Sequence, residues 1–206
     1  GHLSDREAAT LPCAALTAWN ALFETGDLRP GQTVLVQGTG GVSSFALQFA
    51  VLAGARVIVT SSSRDKLEHA RALGASQTID YRADAAWGDT ARKLTGVGVD
   101  HVVEVGGAGT IEQSLRAVRP GGTISVIGVL DGVKGSFPLT RVLMNAVRMQ
   151  GVFVGSRGMF ERMCVAIEAA RLAPVLDDAD FGFTDLPAAL ARMEAGAHVG
   201  KITLEG

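Results

Sequence analysis

A cluster of glycines directly follows a short run of β-prone residues, Thr33–Gln37. Apolar residues then recur at helical spacing, so the order is strand, tight turn and helix. This order directs the unpaired amides of the helix's first turn at a pyrophosphate, with Gly38 permitting the turn and Gly40 the close approach of the backbone. The third glycine of the usual G-x-G-x-x-G spacing is Ser43, and the alternative is an ordinary strand–turn–helix connection. The predicted pyrophosphate-binding residues are Gly38, Thr39, Gly40, Gly41 and Val42.

The end of the second predicted strand favours one of the two nicotinamide cofactors. An Asp or Glu about 20 residues past the glycine turn binds the adenosine ribose and repels a 2′-phosphate. Ser61 occupies that position, followed by Ser62, Arg64 and Lys66. Hydroxyls and two cations suit a dianionic phosphate, so the residues favour NADP(H) over NAD(H). The alternative is a serine-rich helix cap with a solvated basic face.

The elements that must position these residues alternate regularly. Most of the predicted strands are apolar on both faces, as in a parallel sheet covered by helices on each side. Glycine-rich turns separate nearly all of the elements. The pattern predicts an α/β fold with a Rossmann-type, doubly wound sheet of six parallel strands. Strands are predicted near 33–37, 56–60, 77–80, 100–105, 123–127 and 150–154, with helices near 42–53, 64–73, 84–95, 110–118 and 139–147.

The two ends of the chain add further elements. Ser4 and Glu7 form a capping box for a short helix that Pro12 interrupts, and another helix is expected from 14 to 24. A long helix is predicted near 157–172, and Asp185 caps a later one that carries Pro187 in its first turn. The last strand, Lys201–Leu204, has no obvious partner among the six.

Composition restricts the class of protein. With 206 residues, 47% hydrophobic and 19% charged, the chain suits one sizeable globular domain. A net charge of −2 with no long basic run argues against a nucleic-acid or membrane partner. There is no apolar run of membrane-spanning length and no signal peptide, and the two cysteines form no disulfide framework. We therefore expect a cytoplasmic protein.

In sum, the sequence resembles the medium-chain dehydrogenase/reductase superfamily, within it the zinc-type alcohol dehydrogenases and quinone oxidoreductases. The resemblance runs in order over nearly the whole chain. The motifs that carry it are Leu11-Pro12-Cys13-Ala14-Ala15-Leu16-Thr17-Ala18-Trp19, Gly38-Thr39-Gly40-Gly41-Val42, Lys66 with Ala72-Leu73-Gly74-Ala75, Asp80-Tyr81, Gly98-Val99-Asp100, Gly121-Gly122-Thr123, Val126-Ile127-Gly128, Val154-Gly155-Ser156-Arg157 and Gly200-Lys201-Ile202.

The resemblance implies roles for individual residues. Ser61, Ser62 and Lys66 would reach the 2′-phosphate, and Tyr81 would lie beside the adenosine. The backbone after the fifth strand would lie against the nicotinamide carboxamide, and the end of the sixth strand would bound the same pocket. The residues implied at these two places are Ile127, Gly128 and Val129, then Val154 and Gly155.

The resemblance also implies an absent part. Family members begin with a β-rich catalytic domain, so this chain looks like the cofactor domain without it and should bind cofactor while catalysing little. Residues 1–2 resemble the remnant of an expression tag, and 3–206 form the NAD(P)-binding domain. Its core fold is expected over 28–155, while 156–206 would supply the C-terminal helices and a strand that returns to the absent domain.

Zinc is implied only for the longer protein. Cys13 falls where zinc-bearing members place a third catalytic ligand, and a catalytic zinc needs three protein ligands. Cys13 is therefore either a buried structural cysteine or a ligand completed by the absent domain, and no metal site is expected in this chain. Cys164, among apolar helix residues, is expected in the core.

The leading hypothesis is an NADP(H)-dependent oxidoreductase that moves a hydride between nicotinamide and a carbonyl, alcohol or enone. The alternative is a non-catalytic dinucleotide-binding or redox-sensing module, since the fold alone implies no catalysis. A methyltransferase is disfavoured because Ser61 replaces the usual acid. The apolar sixth strand, expected over Gly151–Val154, predicts a homodimer through the sheet edge.

Overall fold

A computed structural model describes all 206 residues of the chain. Six parallel strands form one sheet in the order β3-β2-β1-β4-β5-β6, which confirms the predicted doubly wound topology. The direction of winding reverses between β1 and β4, so the crevice at their carboxyl ends is where such a sheet binds ligands. The strands are β1 Thr33–Gln37, β2 Arg56–Ser61, β3 Gln77–Asp80, β4 Val99–Glu104, β5 Val118–Val126 and β6 Arg148–Gly151.

Helices cover both faces of the sheet, and none of them is both long and apolar enough to cross a membrane. α2 lies between two segments of wider π-helical turns, Leu11–Ala15 and Asn20–Glu24. The first short helix ends at Ala8, earlier than the interruption predicted at Pro12, and Pro12 lies in the first turn of the next helical stretch, where its missing N–H removes no hydrogen bond. The helices are α1 Asp5–Ala8, α2 Leu16–Trp19, α3 Gly41–Leu52, α4 Arg64–Ala72, α5 Trp87–Thr95, α6 Ile111–Ala117, α7 Leu139–Met144, α8 Arg157–Ala170 and α9 Leu186–Glu194.

Two hydrophobic clusters occupy the two faces of the sheet. Val34 and Val36 of β1 belong to the cluster built around α3, whereas Leu35 between them belongs to the cluster on the opposite face. Phe45 and Phe49 of α3 stack with ring centroids 5.9 Å apart inside the first cluster. Because both faces are covered, the strands need apolar residues at consecutive positions, which explains their continuous hydrophobic character.

Two strand boundaries differ from the prediction. β5 begins at Val118 rather than near 123, and β6 covers Arg148–Gly151 rather than 150–154. The apolar run Val152-Phe153-Val154 suggested the later β6 boundaries, but Val154 has φ +50° and the chain has left the strand there. β6 instead pairs Arg148–Gly151 with Thr123–Val126, so polar residues of an edge strand form its hydrogen bonds.

The C-terminal segment pairs within this chain. β7 Phe181–Gly182 and β8 Leu204–Glu205 form a parallel pair, and Lys201 bridges to Leu176. The last strand therefore finds its partner outside the six-stranded sheet, and its position is no indication of an absent domain. α9 carries Pro187 in its first turn as predicted, although the Asp185 carboxylate accepts from the Gly182 amide instead of capping α9.

Candidate functional site

The glycine turn lies at the carboxyl end of β1, beside the point where the sheet reverses. Gly38 has φ +72°, a conformation that other residues rarely adopt, and its amide donates to Thr60 O at 2.7 Å. α3 begins at Gly41, and the amides of its first turn donate to no protein acceptor. Free amides at the positive end of a helix dipole are the arrangement that binds anions in other proteins, as the sequence predicts for this turn.

Ser43 replaces the third glycine without disturbing the turn. Its side chain is buried, and its hydroxyl donates to Gln37 O at 2.6 Å. The next residue, Ser44, donates in the same way to Thr39 O at 3.1 Å. Both hydroxyls are therefore satisfied by the turn itself, and they fix the strand-to-helix connection.

A segment from the far end of the chain covers this turn; we call residues 196–201 the strap. The Gly200 amide donates to Thr39 O at 2.9 Å, so the strap is hydrogen bonded to the glycine turn. Lys201 lies against Gly41, since a Cβ built on Gly41 would be 2.5 Å from Lys201 Cδ. His198 is near Gly40, whose Cβ position is 3.9 Å from His198 Nε2. The strap thus brings an imidazole and an ammonium side chain to the predicted anion site.

The side chain of Asp177 holds the strap through hydrogen bonds. Its side chain is only 2% exposed and accepts from Arg192 Nε at 2.6 Å and from the Val199 amide at 3.0 Å. Burial would raise the pKa of Asp177, but the hydrogen bonds from Arg192 and from the amides of Val199 and Ala179 outweigh it and lower the pKa. The strap is therefore held by a buried, fully hydrogen-bonded carboxylate.

The predicted 2′-phosphate residues lie at the end of β2 and the start of α4. Ser61 is buried, Ser62 and Lys66 are half-buried, and Arg64 is exposed. The Lys66 ammonium donates to Gly196 O and to His198 O at 2.8 Å, so it is tied to the strap. Burial lowers the pKa of Lys66; Asp177 acts to raise it, and Arg192 lowers it further.

Tyr81 follows β3 on the same edge of the sheet. Its amide donates to Ser61 O at 3.1 Å, which places its backbone next to the end of β2. Its side chain is 43% exposed. The structure therefore brings Tyr81 to the serine-rich turn, with its ring accessible to solvent.

A buried carboxylate organises the end of β4. Glu104 is completely buried; its Oε1 accepts from the amides of Gly106 and Gly107 at 2.9 and 3.0 Å and from Thr110 Oγ1. Its Oε2 accepts from Gln37 Nε2 at 2.7 Å and from the Ser114 hydroxyl. Because Gln37 is the last residue of β1, Glu104 connects the ends of the two strands that flank the reversal point.

The turn after β5 lies against that same region. The amides of Ile127 and Gly128 donate to Glu104 O at 2.8 and 3.3 Å. A Cβ on Gly128 would be 2.4 Å from Val105 O, so only glycine fits here. Val129, the third predicted residue of this turn, is 53% exposed.

Val154 and Gly155 lie three and four residues beyond the end of β6. The Val154 carbonyl accepts from Asn20 Nδ2 at 2.8 Å, while Asn20 Oδ1 is buried without a partner. A Cβ on Gly155 would meet Leu16 Cδ1 at 3.0 Å. The stretch 16–24 therefore fixes this loop, and Asn20 holds the left-handed conformation of Val154 in place.

The residues present do not fit a zinc ion. Cys13 is exposed, so its interpretation as a buried structural cysteine is wrong. No group of three or more His, Cys, Asp or Glu side chains lies close enough together to hold a metal. Cys164 is half-buried beside the first hydrophobic cluster, and burial raises the pKa of its thiol.

Sequence reasoning missed four residues that the structure places at this edge. Glu104 stands directly after an apolar run, where a lone acid is a signal for a buried role. His198 had no such signal, because the strap lies far along the chain from the glycine turn; Lys201 belongs to the Gly200-Lys201-Ile202 motif, but that motif assigned it no role at the turn. Asn20 lies inside a helical pattern, and nothing in the sequence indicated a role for it at this edge of the sheet. The four residues are Asn20, Glu104, His198 and Lys201.

Comparison with known proteins places this geometry in context. Residues 41–169 match a family described as zinc-binding dehydrogenase. The zinc-type alcohol dehydrogenase-like protein C1773.06c of Schizosaccharomyces pombe is 47% identical over 212 residues, which cover 99% of this chain and 61% of that protein. The chain thus spans under two thirds of this relative.

Two solved structures share the fold of this chain. A crystal structure of an NAD-dependent alcohol dehydrogenase superposes with a TM-score of 0.92 at 34% identity, over 99% of this chain and 60% of that one. The 2-octenoyl-CoA carboxylase reductase CinF, in complex with NADP and 2-octenoyl-CoA, gives 0.90 at 26% identity, over 98% and 50%. The first of these neighbours is described as NAD-dependent, and the second is a complex with NADP.

Proposed function

The chain belongs to the zinc-binding dehydrogenase family, and we propose that it is the cofactor-binding part of an NADP(H)-dependent oxidoreductase. The whole protein would move a hydride between nicotinamide and a carbonyl, alcohol or enone. The observation that carries the proposal is the set of unpaired first-turn amides of α3 at the reversal point of the sheet. An anion at that position satisfies these amides and meets the positive end of the helix dipole.

Bound nicotinamide would supply the hydride chemistry, and the chain's own residues would bind and orient it. The turn 38–42 and the side chain of Lys201 would hold the diphosphate. Backbone groups of 127–129 and of Val154 and Gly155 would orient the nicotinamide. The Glu104 carbonyl accepts hydrogen bonds from the amides of the first loop, and Asn20 donates to Val154 O in the second, so the protein itself holds both loops in position.

The preference for NADP(H) rests on the end of β2. Ser61 offers a hydroxyl where an acid would repel a 2′-phosphate, and Lys66 and Arg64 follow one turn later. The Lys66 ammonium has three protons and donates two of them to carbonyl oxygens of the strap, which leaves one for a 2′-phosphate. An ammonium with two neutral acceptors would gain a charged one, so the phosphate contact is favourable.

Titration of the 206-residue chain with NADPH and NADH tests the proposal. We expect tighter binding of NADPH, and a fall in the NADPH/NADH preference of about tenfold to a hundredfold in Lys66→Met, from the loss of one charge-assisted hydrogen bond. Lys93→Met, an exposed lysine on α5, is the matched control and should leave the preference unchanged. Ser61→Asp should reverse the preference. Equal or tighter binding of NADH by the unmodified chain would refute the choice of NADP(H).

We also propose that the chain forms a homodimer through the edge at β6. Phe153, just beyond β6, is 95% exposed, and α7, just before β6, exposes Leu139, Leu143 and Met144. An apolar surface beside an unpaired strand edge favours association with a second copy. Light scattering should give a dimer for the unmodified chain, a monomer for Phe153→Asp, and a dimer for Val165→Asp, which changes an exposed valine on α8. A monomeric mass for the unmodified chain would contradict the proposal.

A further inference from the structure

The His198 ring lacks a partner at the place where a bound anion is expected. Neither ring nitrogen makes a hydrogen bond to the protein, and Nδ1 is buried. Nε2 approaches Gly40, the residue immediately before α3. The buried Nδ1 without a partner is costly to the fold, and Nε2, the nitrogen on the side of Gly40, is the one left to meet a ligand.

The backbone around His198 is fixed, so the ring cannot simply move away with a flexible tail. Val199 donates to the buried carboxylate of Asp177 at 3.0 Å, and Gly200 donates to Thr39 O at 2.9 Å. The His198 carbonyl accepts from Lys66 at 2.8 Å. Three contacts from three separate parts of the chain therefore hold the backbone of residues 198–200.

Charged groups from each neighbouring element act on this ring. Lys66 lies on α4, Arg192 on α9 and Lys201 on the strap, and Asp177 is the one acid among them. Burial, followed by the charge of Lys66, lowers the pKa of His198; Asp177 opposes this, while Arg192 and Lys201 add to it. Without a ligand, these surroundings therefore favour the neutral form of the ring.

We propose that His198 binds the diphosphate of the dinucleotide and takes up a proton from solvent as it does so. The proposal rests on the proposed cofactor site and adds a residue to it. A diphosphate brings two negative charges to a ring surrounded by three cations, and so reverses the electrostatic balance that keeps the ring neutral. The protonated ring then donates a charge-assisted hydrogen bond to a phosphate oxygen.

Proton uptake gives cofactor binding a defined pH dependence. The bound state holds more protons than the free state between the two pKa values of His198, so affinity rises as pH falls through that range. The dissociation constant should weaken by up to about tenfold per pH unit as pH rises. The 2′-phosphate of NADP⁺ has its own protonation near pH 6, and this contribution is the same in every variant.

Calorimetric titration with NADP⁺ at pH 7, in two buffers of different ionisation enthalpy, counts the protons taken up. We expect the unmodified chain and His69→Gln, an exposed histidine on α4, to take up the same number, and His198→Gln up to about one fewer. Binding with equal uptake in His198→Gln and the unmodified chain would overturn the proposal and leave the cofactor site intact. Absence of any dinucleotide binding would instead overturn the proposed function.

A second measurement covers weak binding by the variant. Proton NMR of the four histidines, with the His198 signal assigned by its loss in His198→Gln, gives the ring's pKa with and without NADP⁺. The pKa should rise on binding. An unchanged or lowered value at saturation would also overturn the proposal.

Discussion

Gly200→Ala should release the strap from the glycine turn. Gly200 has φ +64°, and a Cβ there would lie 2.2 Å from Val175 O and 2.8 Å from Val175 Cγ1. A left-handed alanine costs roughly 1–2 kcal/mol. Relieving the clash must also break the bonds from Gly200 N to Thr39 O and from Lys201 N to Val175 O, each worth about 1 kcal/mol. The sum is about 3–4 kcal/mol of local stability.

Hydrogen exchange at the Lys201 amide measures this local stability directly. Gly196→Ala is the matched control, because Gly196 has φ +59° with no atom within 4 Å of its Cβ position and so adds backbone strain alone. We expect exchange about a hundredfold to a thousandfold faster in Gly200→Ala, or complete loss of protection, and at most about thirtyfold faster in Gly196→Ala. NADP⁺ affinity should fall in parallel. Equal protection in the two variants would refute the steric argument.

Three other perturbations follow from buried polar groups. Burial lowers the pKa of His101 from 6.5 to about 4, so the unfolded chain binds more protons than the folded chain between these values. The contribution of His101 to the free energy of unfolding is therefore fully present above pH 6.5 and falls by about 3 kcal/mol as the pH drops to 4. Urea unfolding of His101→Gln should lack this pH dependence. Glu104→Gln places an amide NH₂ against groups that themselves donate hydrogen bonds, and it should lower the free energy of unfolding by about 2–4 kcal/mol in the same assay. The exposed Glu161→Gln should lower it by less than about 0.5 kcal/mol. Asp177→Asn leaves Arg192 without its buried carboxylate, so the Val199 amide should exchange faster while the unfolding midpoint changes little.

The sheet could be predicted because each strand carries its own signal. β1 has its predicted boundaries, since an apolar run flanked by polar turns marks a buried parallel strand, and β3 also has its predicted boundaries although Ile79 is its one buried residue. β6 could not be placed in the same way. It is a short edge strand that carries Arg148 and Gln150, whereas in the apolar run that follows it Val152 is buried and Phe153 is exposed outside the strand.

The candidate site divides along a similar line. Local motifs identified the glycine turn, because strand, turn and helix are consecutive in the chain. The position of the strap over the glycine turn could not be predicted, because a histidine or lysine in a polar segment carries no signal of the distant turn that it covers. Gly200, with φ +64° and Val175 O in the way of any side chain, and Gly41, which leaves space for Lys201, reflect the contact in the sequence.

Lys66 connects the two proposals about this site. Its ammonium holds the carbonyl oxygens of Gly196 and His198, so a 2′-phosphate that attracts Lys66 also acts on the segment that positions the His198 ring. The same positive charge lowers the pKa of that ring, and its partial neutralisation by a phosphate would raise the pKa. NADP⁺ should therefore cause more proton uptake at His198 than NAD⁺ does, once the protonation of the 2′-phosphate itself is subtracted with His198→Gln. Equal uptake would mean that the 2′-phosphate does not reach Lys66.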